Sequence, residues 1–152
     1  MEFNTKNAGE TEVAGKAFAN HLIISGAKKA TVALIGELGS GKTTFVQGFA
    51  KRLRIKKRII SPTFVIMRKY DIDKGLSKNR LVDLYHIDLY RISGNFEKEI
   101  KNLGLEELWQ NDGNIILIEW ADKIKQFLPK RTHWLNFDIL SGSERNIKIL
   151  QK

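Results

Sequence analysis

The sequence contains no cysteine and only two prolines among its 152 residues. Without thiols, the chain has no disulfides, thiolate metal sites, iron–sulfur clusters or cysteine nucleophiles. No apolar run approaches the roughly 20 residues that a membrane span requires. The first residues also lack the charged-then-apolar layout of a signal peptide. We therefore expect a cytoplasmic protein that does not enter a membrane.

Acidic residues are scarce relative to basic ones. The chain has 17 Asp and Glu against 26 Lys and Arg, for a formal net charge of +9. Such an excess favours anionic partners without identifying them. The length predicts one domain over residues 1–152, and a hydrophobic share of 42% with 28% charged residues is typical of a folded globular protein.

Strand-like and helix-like segments alternate along the chain. Helical spacing predicts helices at 11–22, 42–53, 97–109 and 121–128. Apolar runs and alternating patterns predict strands at 31–35, 64–70, 81–88, 115–118, 134–140 and 146–150. The polar stretch 71–79 would join two of these strands as an antiparallel hairpin. This order predicts an α/β fold with antiparallel additions to a parallel centre.

A glycine-rich segment at 36–43 fits the pattern Gly-x-x-x-x-Gly-Lys-[Ser/Thr] of a phosphate-binding loop. Glycines allow successive backbone N–H groups to turn toward an anion, where a Cβ would clash. The segment lies between a predicted strand and a predicted helix, whose positive N-terminal end favours phosphate. In this pattern Lys42 bridges the β- and γ-phosphates and the Thr43 hydroxyl binds Mg²⁺. The sequence thus predicts a nucleotide site.

Two carboxylates are candidates to assist this loop. Glu119 directly follows the apolar strand 115–118, the position of an acid that supports the metal. Asp88 lies in a second predicted strand and shares one face with His86, because side chains alternate along a strand. The His86–Asp88 pair could also be only a structural hydrogen bond. At this level both carboxylates remain candidates.

Taken together, the motifs resemble the TsaE family of bacterial P-loop ATPases. The resemblance spans about residues 11–146. Besides the loop at 36–44, its segments are Ser-Pro-Thr-Phe at 61–64, His-Ile-Asp-Leu-Tyr-Arg at 86–91, Gly-Leu-Glu-Glu at 104–107, Ile-Glu-Trp at 118–120 and Leu-Pro at 128–129.

This resemblance implies a P-loop NTPase-like mixed sheet with a parallel centre, antiparallel marginal strands and flanking helices. It implies weak, Mg²⁺-dependent ATP hydrolysis inside a complex with the TsaB and TsaD proteins. That complex forms threonylcarbamoyladenosine at adenosine 37 of tRNA, which would reach this chain through the complex.

The resemblance also implies roles for individual residues. Lys42, Asp88 and Glu119 would be catalytic, with Asp88 the first candidate to orient the attacking water. Thr43 and Glu119 would hold Mg²⁺, and Thr63 would be a switch residue near the γ-phosphate. The nucleotide-binding set is Thr11, Glu37, Leu38, Gly39, Ser40, Gly41, Lys42, Thr43, Thr44, Thr63 and Arg145.

Two other functions remain open from the sequence. The chain could be a nucleotide-gated assembly switch with incidental hydrolysis, in which residues 61–64 respond to the γ-phosphate. It could also be a small-molecule kinase, although no second substrate motif is present. ATP is favoured over GTP because the chain has no Asn-Lys-x-Asp segment.

Six cations occur in the eight positions 51–58. They are interpreted either as a solvated helix end, where cations favour the helix dipole, or as a surface for tRNA or an acidic partner.

Overall fold

The computed structural model of the chain describes residues 1–76 and 80–151. In chain order its elements are β1 (Glu2–Thr5), α1 (Ala8–Ile24), β2 (Ala30–Ile35), α2 (Lys42–Arg52), β3 (Met67–Asp71), β4 (Asp83–Asp88), α3 (Phe96–Leu103), α4 (Leu105–Gln110), β5 (Asn114–Glu119), a 3₁₀ segment (Ala121–Phe127), β6 (His133–Ser141) and β7 (Glu144–Gln151).

The seven strands form one mixed sheet in the order β1-β7-β6-β2-β5-β4-β3. The neighbours β6, β2, β5 and β4 are parallel, whereas β1, β7 and β3 add to the edges as antiparallel strands. This arrangement confirms the predicted α/β fold with a parallel centre and antiparallel margins. The predicted β3–β4 pairing is confirmed as well, although residues 77–79 of its connection lie outside the described residues.

Helices cover both faces of the sheet. Helices α1 and α2 pack on one face around a cluster that includes Phe18, Phe45 and Phe49, all fully buried. Each such side chain stabilises the fold by about 1.5–3 kcal/mol. Helices α3 and α4 and the 3₁₀ segment cover the opposite face. The central strands therefore have two apolar faces, as their uninterrupted apolar sequences predict.

Two glycines allow α1 and α2 to cross closely. A Cβ added to Gly48 would lie 1.9 Å from the carbonyl oxygen of Glu12, and one added to Gly15 would lie 2.0 Å from that of Phe45. Both clashes are with backbone atoms, which cannot rotate away. The crossing places the N-terminal part of α1 beside the beginning of α2.

Several predicted boundaries were wrong. Strand β1 was not predicted, and α1 begins at Ala8, where the Asn7 side chain caps it by accepting a hydrogen bond from the backbone N–H of Glu10. The helix predicted at 97–109 is broken at Gly104, which has a φ of 66°. The strand predicted from residue 64 begins at Met67, because residues 63–65 form a turn. The helix predicted at 121–128 is present as a kinked 3₁₀ helix over Ala121–Phe127.

Among the described residues, no helix is long and apolar enough to cross a membrane.

Candidate nucleotide-binding site

The parallel centre brings the carboxyl ends of three strands to one edge of the sheet. In the strand register, Glu119 at the end of β5 is paired with Leu34 of β2 on one side and with Asp88 of β4 on the other. The chain leaves β2 at Ile35 and enters α2 at Lys42, so the predicted phosphate loop crosses this same edge. Ligands bind at the carboxyl ends of the strands in open α/β sheets.

The loop forms a cavity of about 220 Å³ that residues 38–44 line. Gly41 has a φ of 97°, and a Cβ there would lie 3.3 Å from the Thr11 methyl group. A side chain at this position would be strained and would crowd the loop against α1. Among the described residues, the buried Ser40 hydroxyl has no hydrogen-bond partner. Glycine geometry, a polar cradle and the N-terminus of α2 together suit a phosphate group.

The remaining loop residues differ in exposure. Glu37 and Gly39 are exposed, and Leu38 is 67% exposed, so these three residues form the outer rim of the loop. Thr43 and Thr44 are half-buried in the first turn of α2. A ligand on this loop would therefore contact backbone atoms of the rim and the hydroxyls of the first helical turn.

Lys42 lies buried beneath the loop. Its ammonium group donates hydrogen bonds to the backbone carbonyls of Gly36 and, at 2.9 Å, Glu37. The nitrogen also lies 5.2 Å from the centre of the Trp120 ring, a contact that sequence reasoning missed. Burial lowers the pKa of Lys42 below its ordinary value of 10.5, and the carboxylates of Glu119 and Asp88 act in the opposite direction.

Asp88 is held by two hydrogen bonds. One carboxylate oxygen accepts from the Thr63 hydroxyl at 2.8 Å, and the other accepts from the backbone N–H of Tyr90 at 2.9 Å. The Ser61 hydroxyl is 2.7 Å from that of Thr63, which ties the Ser-Pro-Thr-Phe segment to the same carboxylate. The structure therefore brings together Thr63 and Asp88, two of the residues predicted for the site.

Glu119 is paired with a histidine. Its carboxylate oxygen lies 2.9 Å from Nε2 of His86, and both side chains are buried. The possible His86–Asp88 hydrogen bond was therefore the wrong pairing, because His86 reaches across to β5 and Asp88 bonds Thr63. The pairing follows from the parallel register, in which Glu119 lies two residues beyond Leu117, the partner of His86. A single sequence contains no signal for that register.

Thr11 and Arg145 lie around the loop rather than inside it. The Thr11 hydroxyl is 2.8 Å from the Thr5 hydroxyl, so only its methyl group approaches Gly41. Arg145 donates to the carbonyl oxygen of Gly39 at 2.9 Å. The same guanidinium group bonds the Gly142 and Glu144 carbonyls, and thereby fastens the β6–β7 turn to the loop. Both residues support the shape of the loop in this structure.

The donor set fits Mg²⁺ only together with a nucleotide. In the described part of the chain, no group of three or more His, Cys, Asp or Glu side chains could hold a metal by itself. The Thr43 hydroxyl and the buried Glu119 carboxylate are oxygen donors at the same edge of the sheet. Mg²⁺ typically combines one or two such protein groups with water and phosphate oxygens. The residues present therefore fit a nucleotide-bound Mg²⁺.

A larger cavity of about 530 Å³ lies at the opposite end of the sheet, lined by residues that include His21, Lys28, Arg131 and His133. It contains none of the residues predicted for the nucleotide. The candidate site is therefore the smaller cavity at the carboxyl ends of the strands.

Comparison with known proteins identifies the family. The family model for Threonylcarbamoyl adenosine biosynthesis protein TsaE matches residues 5–147. The tRNA threonylcarbamoyladenosine biosynthesis protein TsaE of Bacillus subtilis is 35% identical over 148 residues, which cover 97% of this chain and 83% of that protein. The protein of the same name from Haemophilus influenzae is 32% identical over 137 residues, covering 90% and 80% of the two chains.

A solved structure agrees with this assignment. The crystal structure of Bacillus subtilis YdiB superposes with a TM-score of 0.71 at 30% sequence identity, covering 98% of this chain and 83% of that chain. The predicted resemblance is confirmed over most of the sequence. The chain belongs to the TsaE family of threonylcarbamoyl adenosine biosynthesis proteins.

Proposed function

We propose that the chain binds ATP with Mg²⁺ on the loop at residues 36–44 and hydrolyses it to supply a step of tRNA threonylcarbamoyladenosine formation. One observation carries this proposal. The loop, the buried Lys42, and the two carboxylates of Asp88 and Glu119 converge on a single edge of the sheet. This combination is the minimum that phosphoryl transfer requires, namely a cradle, a cation and acidic groups.

Lys42 provides the positive charge of the reaction. Its ammonium group would exchange the carbonyls of Gly36 and Glu37 for β- and γ-phosphate oxygens, which are stronger acceptors. Negative charge builds up on the leaving β-phosphate oxygen as its bond to the γ-phosphorus breaks, and a fixed cation in a partly dehydrated site stabilises that charge. The Trp120 ring above the ammonium keeps water from one side of it.

Asp88 is assigned to the attacking water. Its carboxylate is fixed by Thr63 and by the Tyr90 backbone, so its orientation does not depend on the nucleotide. A carboxylate held in this way can accept a hydrogen bond from water and align it with the γ-phosphorus. Glu119 is the competing candidate, but one of its oxygens already bonds His86.

Thr43 and Glu119 would hold Mg²⁺. The ion would supply positive charge that neutralises part of the negative charge of the phosphates.

Family membership supports a role in tRNA modification, and the chain is basic, as contact with RNA or an RNA-bound complex favours. We infer that hydrolysis is weak in the isolated chain and becomes productive in a complex with TsaB and TsaD. In this proposal tRNA is engaged through the complex. The exposed cations Lys56, Lys57 and Arg58, which make no ion pair within the described residues, contribute to assembly.

Binding and turnover measured side by side test the proposal. Calorimetry with ATP and Mg²⁺ gives the affinity, and phosphate release gives the turnover, each with and without TsaB and TsaD. We expect K42A to lose both. The matched variant K101A removes an exposed lysine from α3 and should retain both. Absence of ATP binding by the unaltered chain, or equal binding by K42A, would refute the proposal.

The switch function has one observation in its favour. Thr63 connects the carboxylate of Asp88 to a segment in which Phe64 is 80% exposed and Val65 is 52% exposed. An apolar surface next to a nucleotide site could dock a partner in only one nucleotide state. Partner affinity measured with ATP, ADP and a non-hydrolysable analogue distinguishes the two functions. Repeated modification cycles with the analogue would exclude obligatory hydrolysis.

A further inference from the structure

We propose that His86 is a positioning residue that holds the Glu119 carboxylate toward the metal side of the nucleotide site and away from Lys42. The inference rests on the proposed function, because it concerns how Glu119 meets a metal–nucleotide complex. Its basis is the contact of 2.9 Å between Nε2 of His86 and the Glu119 carboxylate.

The pair is built into the centre of the sheet. His86 is 0% exposed and Glu119 is 4% exposed, so water does not compete for their hydrogen bond. Both residues lie on parallel neighbouring strands and face the same side, with Glu119 two residues beyond the partner of His86. A carboxylate this buried can form strong hydrogen bonds only with protein groups or with a ligand. His86 is the protein group that contacts it directly.

Within residues 1–76 and 80–151, the ring of His86 makes this hydrogen bond and no other. An ionised carboxylate oxygen only accepts, so in this pair Nε2 is the donor. Nδ1 is buried without a hydrogen-bond partner among the described residues. A position that served packing alone would favour an apolar side chain, as at Leu84 on the same face of β4. Only the nitrogen that faces Glu119 has a hydrogen-bond partner among the described residues. We therefore attribute the presence of a histidine at this position to its hydrogen bond with Glu119.

Without this donor, a cation within electrostatic reach, Lys42, would compete for the Glu119 carboxylate. Glu119 and Asp88 both act electrostatically on Lys42, whose ammonium group is partly dehydrated. A carboxylate released from His86 would turn toward that ammonium group and form an ion pair with it. The pair would occupy the lysine needed for phosphate and the oxygen needed for Mg²⁺. His86 prevents both losses by fixing the carboxylate.

Three substitutions separate positioning from packing. In H86Q the amide nitrogen lies as many bonds from the backbone as Nε2 does, so the donor is retained. In H86N the amide is too short to reach Glu119, and H86L removes all polar atoms. The control L84A removes a fully buried side chain from the same strand and face without touching Glu119.

The readout is the gain in nucleotide affinity on adding Mg²⁺, measured by calorimetry with ADP in Mg²⁺ and in EDTA, with thermal unfolding recorded in parallel. Loss of a partner that orients a metal-binding group typically reduces metal affinity about 10- to 100-fold. We expect H86N and H86L to lose the Mg²⁺-dependent gain by that factor, H86Q to keep most of it, and L84A to lose stability but not the gain.

The possible failures are distinguishable. If the unaltered chain binds no nucleotide, or shows no gain with Mg²⁺, the proposed function itself fails. If it shows the gain and H86N equals H86Q, the positioning role of His86 is refuted. A loss in L84A as large as that in H86L would also refute it, because general loosening would then explain the effect. Should H86L not fold, the comparison of H86Q with H86N decides.

Discussion

Substituting Asp88 with Asn removes one negative charge beside the phosphate loop without changing the size of the side chain. In the structure, one oxygen of Asp88 accepts from the backbone N–H of Tyr90 and the other accepts from the Thr63 hydroxyl. The Asn oxygen can keep the first bond, and the amide can donate to Thr63, which then turns its proton toward Ser61, 2.7 Å away. We therefore expect D88N to fold and to bind ATP nearly as the unaltered chain does.

Turnover should respond very differently. A positioned side chain that takes a proton from the nucleophile typically contributes 10²–10⁴-fold to the rate. At 1.36 kcal/mol per factor of ten, that corresponds to about 2.7–5.4 kcal/mol of the activation barrier. D88A should lose as much rate and in addition lose stability, because each hydrogen bond to a charged group is worth about 1.5–3 kcal/mol. The difference in the free energy of unfolding between D88A and D88N measures how much the hydrogen bonds of residue 88 contribute to stability.

The assay combines three measurements on the same preparations, namely ATP affinity by calorimetry, phosphate release in the presence of TsaB and TsaD, and urea denaturation. A loss of affinity equal to the loss of turnover in D88N would mean that Asp88 acts in binding rather than in hydrolysis. Turnover within a few-fold of the unaltered chain would also refute the assignment. In that case E119Q, which alters the competing carboxylate, should show the large loss instead.

Three other predictions follow from the same structure. G48A should lose about 1–3 kcal/mol or more in urea denaturation, because its Cβ would lie 1.9 Å from the Glu12 carbonyl oxygen; unchanged stability would contradict the close crossing of α1 and α2. Burial, together with the nearby His21, lowers the pKa of His133 below 6.5. The folded chain should therefore lose stability as the pH falls below 6.5. In denaturation curves recorded from pH 5 to 8, H133Q should reduce the dependence of unfolding free energy on pH. An unchanged pH dependence in H133Q would contradict the role of His133. The triple variant K56E/K57E/R58E should weaken assembly with TsaB, TsaD and tRNA and flatten its salt dependence, and no change in either quantity would exclude a role for these cations.

Much of the fold was predictable because the central strands are buried on both faces. The runs at 31–35 and 115–118 are continuously apolar, and such runs are typical of parallel strands covered by helices. Strand β1 could not be predicted in this way. Only two of its four residues are exposed, but the segment is short and its neighbour is distant in sequence; it forms a strand because it pairs with the edge of β7. The break at Gly104 had a local signal, since a glycine within a helical pattern often adopts the positive φ that ends a helix.

The candidate site could likewise be predicted only in part from the sequence. The phosphate loop is contiguous in sequence, so its glycines, Lys42 and Thr43 could be predicted from one motif. The contacts of Lys42 with Trp120 and of His86 with Glu119 join residues that are 78 and 33 positions apart. The first depends on β2 lying beside β5, with Leu34 opposite Glu119, and the second on β4 lying beside β5, with Asp88 opposite Glu119. Spacing along a single chain does not encode that register, and the His86 pairing was wrong for this reason.

The most direct test of ATP-driven tRNA modification is a reconstituted reaction that contains tRNA, threonylcarbamoyl donor, TsaB, TsaD and ATP. The quantity to measure is the amount of threonylcarbamoyladenosine formed per TsaD over many cycles. Three preparations are compared, namely the unaltered chain, D88N, and a control without this chain. The account predicts many turnovers with the unaltered chain, and at most the level of the control with D88N although it still binds ATP. Sustained modification by D88N, or in the control that lacks this chain, would contradict it.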